Sequence, residues 1–132
     1  MEDCVFCKIV RGDIPAYKVY EDADFIAFLD IKPINKGHVL VISKEHYRWT
    51  WEVPEFGRYW EVVKKITTAL ITSLSAERVQ YITLGEAVPH AHVHIVPRYK
   101  NDGLKPLPDW DKTKEFSADE MKNISDKIRK QI

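Results

Sequence analysis

The chain is short of several things, and each shortage removes a class of protein. It has no net charge: 20 lysines and arginines balance 20 aspartates and glutamates. That gives no reason to expect a nucleic acid polymer or an anionic membrane as partner. No apolar run approaches the roughly 18 residues a membrane span needs. The opening residues, Met-Glu-Asp-Cys-Val-Phe-Cys-Lys, do not read as a signal peptide, so the expected location is cytoplasmic. Repeats and low-complexity segments are missing too. Cysteine is scarce, with two in 132 residues. They form one Cys4-x-x-Cys7 pair, which in a reducing compartment points to metal or redox chemistry rather than a stapling disulfide. A redox motif of this spacing should follow a strand, and this one has nothing before it. The pair is half of a zinc site and needs two more ligands.

What remains is ordinary for one globular domain over residues 1–132, with 45% hydrophobic and 30% charged residues. Val5, Phe6, Ile9 and Val10 have helical spacing, and Gly12 is the expected stop. Residues 17–29 read as a hairpin, with a strand at 17–21, a turn at 22–24 and a more buried strand at 25–29. Residues 31–37 form a loop and 38–43 a third strand. From Pro54 to Leu74 apolar residues recur at helical intervals, giving one long amphipathic helix. Trp49 and Trp51 precede it as core or dimer contacts, core being the simpler reading. A fourth strand centres on residues 79–82. Residues 100–116 are polar and broken by proline and glycine, hence a loop. Ser117 and Glu120 make a capping box for a terminal helix.

The densest chemistry lies in Pro89-His90-Ala91-His92-Val93-His94-Ile95-Val96-Pro97-Arg98. Period-two alternation is the mark of a strand, so His90, His92 and His94 share one face and Ala91, Val93 and Ile95 the other. Same-face neighbours on a strand start roughly 7 Å apart, whereas adjacent donors on one zinc ion are only ~3–4 Å apart. Three histidines on a straight strand therefore do not converge easily on one ion, and a division of labour is expected. The bland alternative is a satisfied structural cluster.

This run resembles the signature of the histidine triad (HIT) family, His-x-His-x-His followed by two apolar residues. The stretch Phe28-x-Asp30, Gly37-His38 opening the next strand, and His46 resemble the family in the same order. The resemblance implies an α+β fold: a five-stranded, mostly antiparallel sheet with one long helix and short terminal helices, commonly assembled as a homodimer. It implies that Cys4, Cys7, His46 and His90 hold a structural zinc. It implies that His92 is the nucleophile, with its tautomer set by the backbone carbonyl of His90, and that His94 and His38 line the phosphate region as catalytic partners. Neutral imidazole suits the nucleophile's role near pH 7. A purely structural role for His38 stays open. Asp30 matches the acceptor of both ribose hydroxyls, or else caps its own loop. Val5, Phe6, Ile9, Phe28 and Ile31 match an apolar slot for the base, or are plain core. With Gly85, Glu86, Ala87, His92 and His94 they complete the expected nucleotide site. The implied activity is hydrolysis at the α-phosphate of a purine nucleotide substrate, a nucleoside phosphoramidate or dinucleoside polyphosphate, through a nucleotidyl-histidine. Two alternatives stand beside it: a nucleotide-binding module with little turnover, and a hydrolase in which the triad binds a catalytic metal. One departure is plain: Glu86 and Ala87 stand where members usually carry glutamine followed by serine or alanine. A carboxylate there would repel an anion, leaving Gly85 and nearby backbone amides as donors.

Overall fold

A computed structural model of the chain describes residues 3–132. Helix α1 (Val5–Arg11) opens where the Cys4 sulfur accepts the Cys7 N–H at 3.4 Å. It closes at Gly12, whose φ of 83° lets its N–H turn back to the carbonyls of Lys8 and Ile9. Strands β1 (Lys18–Glu21) and β2 (Phe25–Leu29) form the expected hairpin. Its turn is fixed by Asp22, whose Oδ1 accepts the N–H groups of Asp24 and Phe25 at 2.8 Å each. Then come β3 (Val39–Ser43), a 3₁₀ turn at Thr50–Glu52, α2 (Phe56–Leu74), β4 (Arg78–Thr83), β5 (His92–Arg98) and α3 (Ala118–Arg129). The sheet order is β1-β2-β3-β5-β4, and every pairing is antiparallel.

The sheet has two different faces because its side chains alternate. One face presents Ala27, Leu29, Val39, Val41, Val93 and Ile95 to α2 and α3, where Tyr59, Ile66, Leu70 and Ile128 are fully buried. Each such apolar side chain contributes about 1.5–3 kcal/mol on burial. The other face presents Ile26, Phe28, Leu40 and Ile42, which pack with Phe6, Cys7 and Ile9 of α1. Register places His92 opposite Ile42 and His94 opposite Leu40. Both histidines thus lie on the second face, beside the smaller cluster.

Three local expectations change. Helix α2 starts at Phe56 rather than Pro54. Glu52 accepts the Trp49 N–H at 2.9 Å and closes a separate turn that leaves Pro54 in the connection. Strand β5 starts at His92, because the His90 N–H goes to the Val88 carbonyl and the Ala91 N–H to that of Tyr47. His90 therefore sits in a tight bend just before the ladder. Trp51 is not core: it is 68% exposed, and its ring stacks on that of half-buried Trp49 at 5.1 Å. Trp49 covers Gly85 so closely that a Cβ there would lie 2.4 Å from the indole. Among the described residues no helix is long and apolar enough to cross a membrane.

Candidate functional site

Four histidines beside one another have different jobs, and the backbone decides which. The Ile34 N–H donates to His38 Nδ1 at 3.0 Å, so His38 carries its proton on Nε2. That proton points at His94 Nδ1, 2.9 Å away. His94 accepts there and keeps its own proton on Nε2. The Nδ1–H of His92 donates to the His90 carbonyl at 2.6 Å, which leaves a lone pair on Nε2. His90 is the reverse: its Nε2–H donates to the Ser43 carbonyl at 2.6 Å, so Nδ1 offers its lone pair to the two thiols. Burial keeps these rings neutral, lowering His38 and His94 to about 3, His90 to about 4, and His92 below its usual value.

Cys4 Sγ lies 3.3 Å from His90 Nδ1, and Cys7 Sγ lies 3.2 Å from His46 Nδ1 and 3.5 Å from His90 Nδ1. The four ligand atoms of Cys4, Cys7, His46 and His90 all fall within 4.8 Å of one another. That is the spacing of donors around one tetrahedral ion. The bond from His90 to Ser43 is the outer contact that typically orients a metal-binding imidazole. These four residues could therefore hold a metal.

Beyond them opens a cleft of about 520 Å³. Helix α1 gives it Val5, Phe6 and Ile9; the end of β2 and the loop beyond give Phe28, Asp30 and Ile31. Glu86, Ala87, His92 and His94 line the opposite side. Phe6 meets His92 edge to face at 5.1 Å. Asp30 Oδ1 accepts the Lys32 N–H at 2.9 Å, so it does cap its loop. Its other oxygen lies 3.6 Å from His38 Nε2 and 3.9 Å from His94 Nδ1. Those approaches are not ion pairs, because both rings are neutral. Burial also pushes the Asp30 carboxyl up.

Two expected contacts are placed elsewhere. His38 does not reach the cleft; it is 1% exposed and lies behind His94. Gly85 does not border the cleft either, and its N–H is taken by Glu86 Oε2 at 2.8 Å.

The family model described as the HIT domain matches residues 11–101. The chain belongs to the HIT family. It is 41% identical to the protein Hit of Bacillus subtilis, across 99% of this chain and 95% of that one. It is 36% identical to an adenosine 5′-monophosphoramidase of Schizosaccharomyces pombe, across 98% of each. Among solved structures it is similar to a zinc-bound histidine triad family protein from Mycobacterium smegmatis. The TM-score there is 0.80 and the identity 33%, covering 98% of this chain and 93% of that one.

The aromatic lining residue of this HIT chain that its sequence did not announce is Trp110. Trp110 lies with its ring centroid 4.9 Å from that of His94 and 5.8 Å from that of His38. It sits in a loop with no periodicity to announce it. The loop is tied down by Arg98, 2% exposed, which pairs with Asp102 at 2.9 Å and donates to the carbonyls of Leu104 and Pro106. The signal available was the Arg98 and Asp102 pair flanking a turn, with one aromatic beyond it.

Proposed function

We propose that the protein is a nucleotide hydrolase that works through a covalent nucleotidyl-His92. The observation that carries this reading is the 2.6 Å bond from His92 Nδ1 to the His90 carbonyl. It fixes the only tautomer in which Nε2 is a nucleophile, on a ring that borders the cleft. Nε2 attacks the α-phosphorus, the bond to the leaving group breaks, and water then releases the nucleoside monophosphate. The Nε2–H of His94 then donates to a non-bridging oxygen, where a fixed donor stabilises developing charge. His38 acts one step back, holding His94 in the donating tautomer. Asp30 has a carboxylate oxygen available for ribose hydroxyls, and Phe6, Ile9, Phe28 and Ile31 form a slot for a base. The name of the fission yeast relative, an adenosine 5′-monophosphoramidase, supports a nucleotide substrate.

Cys4, Cys7, His46 and His90 would hold a structural zinc, as supported by their spacing and by the zinc-bound mycobacterial relative. Bound there, the ion would tie α1 to the bend before β5 and so brace the carbonyl that orients His92. A second copy of the chain is the partner we infer. Strand β4 ends the sheet, and Tyr81, Leu84, Ile71 and Phe56 are exposed on it, just beyond it and on α2. Light scattering that returns the mass of one 15.4 kDa chain would exclude it.

The direct test of the hydrolase reading is His92→Ala. Turnover of adenosine 5′-phosphoramidate should fall by about 10³-fold or more, while calorimetry still finds nucleoside monophosphate binding. Turnover within a few fold of the parent would remove His92 from the mechanism.

A further inference from the structure

The cleft holds an unusual balance of charge for a site that takes phosphate esters. Its lining includes two carboxylic acids, Asp30 and Glu86, and among the described residues no lysine or arginine. Of the two histidines that line it, His92 gives its Nδ1–H to the His90 carbonyl, and His94 is held neutral by burial. Arg48, which contacts the turn, does not line the cleft. Its Nε donates to the Gly85 carbonyl at 3.3 Å, and its guanidinium lies 4.7 Å from the centre of the Trp49 ring. One of the backbone donors expected to greet an anion, the Gly85 N–H, already faces a carboxylate oxygen of Glu86 at 2.8 Å. An anionic leaving group would meet Glu86 next to His92 with no cation to offset it.

We infer that Glu86 selects the leaving group by charge: the cleft takes nucleoside phosphoramidates, which expel an amine, and disfavours substrates that expel sulfate or polyphosphate. This deepens the proposed nucleotidyl transfer and rests on it. In the favoured reaction the bridging nitrogen is first protonated from water. His92 Nε2 forms its bond to phosphorus, the P–N bond breaks, and the nitrogen leaves with the bonding pair as a neutral amine. The amine then takes a proton from solvent and departs as an ammonium ion. Glu86 faces positive charge on that nitrogen at both ends of the step. With an anhydride substrate it faces negative charge throughout. Discrimination of this kind comes from the repulsive element as much as from the attractive one.

The test compares adenosine 5′-phosphoramidate with adenosine 5′-phosphosulfate, two small substrates with the same nucleotide and opposite leaving-group character. The parent protein should favour the amide in kcat/KM. Glu86→Gln should move the ratio about tenfold or more toward the sulfate. The glutamine oxygen can still accept the Gly85 N–H, and an unchanged melting temperature with retained AMP binding shows that the turn survives. Added salt supplies an arm that needs no variant: it should raise parent turnover of the sulfate and leave the amide unaffected. A parent that prefers the sulfate, or a ratio unmoved by both Glu86→Gln and salt, overturns the role of Glu86 and leaves the nucleotidyl transfer standing. Failure of the parent to turn over either compound overturns both.

Discussion

At the scale of single residues, the site is a set of tautomers imposed by the backbone. His38 illustrates it: its Nδ1 accepts from the Ile34 N–H and its Nε2–H is sent to His94. Replacing it by asparagine offers an acceptor near the Ile34 N–H but removes the donor to His94. His94 is then free to protonate on either nitrogen, and kcat should fall about tenfold with little change in KM. The same pair makes stability depend on pH. Both folded-state values, about 3, lie below the ordinary value of 6.5. The unfolded chain therefore takes the protons first as pH falls. The stability is full above pH 6.5 and is lost progressively toward pH 3. The loss is about 1.4 kcal/mol per pH unit for each ring. Asp30, raised by burial, works in the opposite direction between its ordinary and raised values. His38→Asn should flatten the fall in melting temperature between pH 7 and pH 5. An unchanged slope would show that buried His38 does not set the pH dependence, and an unchanged kcat that its hydrogen bond to His94 plays no part in turnover. His92 and His94 were legible in the sequence, because period two put them on one face. That His38 stands behind His94 was not, because nothing in the sequence tells which of two neighbouring rings is nearer the solvent. Trp110 was illegible for a different reason: a loop position is set by tertiary bonds such as those of Arg98, not by local pattern.

At the scale of elements, helix α1 depends on what holds it. Seven residues are too few for a stable isolated helix, and its anchors are the cap at Cys4, the turn at Gly12 and the group of Cys4, Cys7, His46 and His90. With a bound zinc, those four would tie it to the bend before β5. Chelation, or Cys4→Ser, should lower the melting temperature by several degrees and weaken nucleotide binding, since Phe6 and Ile9 line the cleft. A purified protein without zinc, whose melting curve ignores chelators, would contradict this. Elements with strong punctuation were the legible ones. Gly12 stopped α1, and Ser117 and Glu120 built the capping box of α3, with bonds of 3.1 and 2.9 Å between the two residues. The start of α2 was less so, because Pro54 fits the first turn of a helix equally well as the connection before it. The strand expected to carry all three histidines from His90 begins at His92, because His90 and Ala91 give their N–H groups to Val88 and Tyr47 instead of the ladder.

At the scale of the whole molecule, the sheet divides labour between its faces. One face is closed by α2 and α3 and supplies most of the apolar core. The other is only partly closed by α1, and the gap is the cleft. Alternation in the sequence told which side chains share a face, but not which face a short helix leaves open. Strand β5 serves both: Val93 and Ile95 anchor the core while His92 and His94 face the cleft. The proposed nucleophile is thus mounted on a strand buried along its whole length, which suits a ring that must hold one orientation. The most direct measurement is intact-mass and peptide mass spectrometry of the protein mixed with adenosine 5′-phosphoramidate and quenched in alkali within one turnover. The expected result is one adenylyl group per chain, on the peptide carrying His92 and at that residue. Complete turnover with no transient adduct, or an adduct on any other side chain, would contradict the covalent role given to His92.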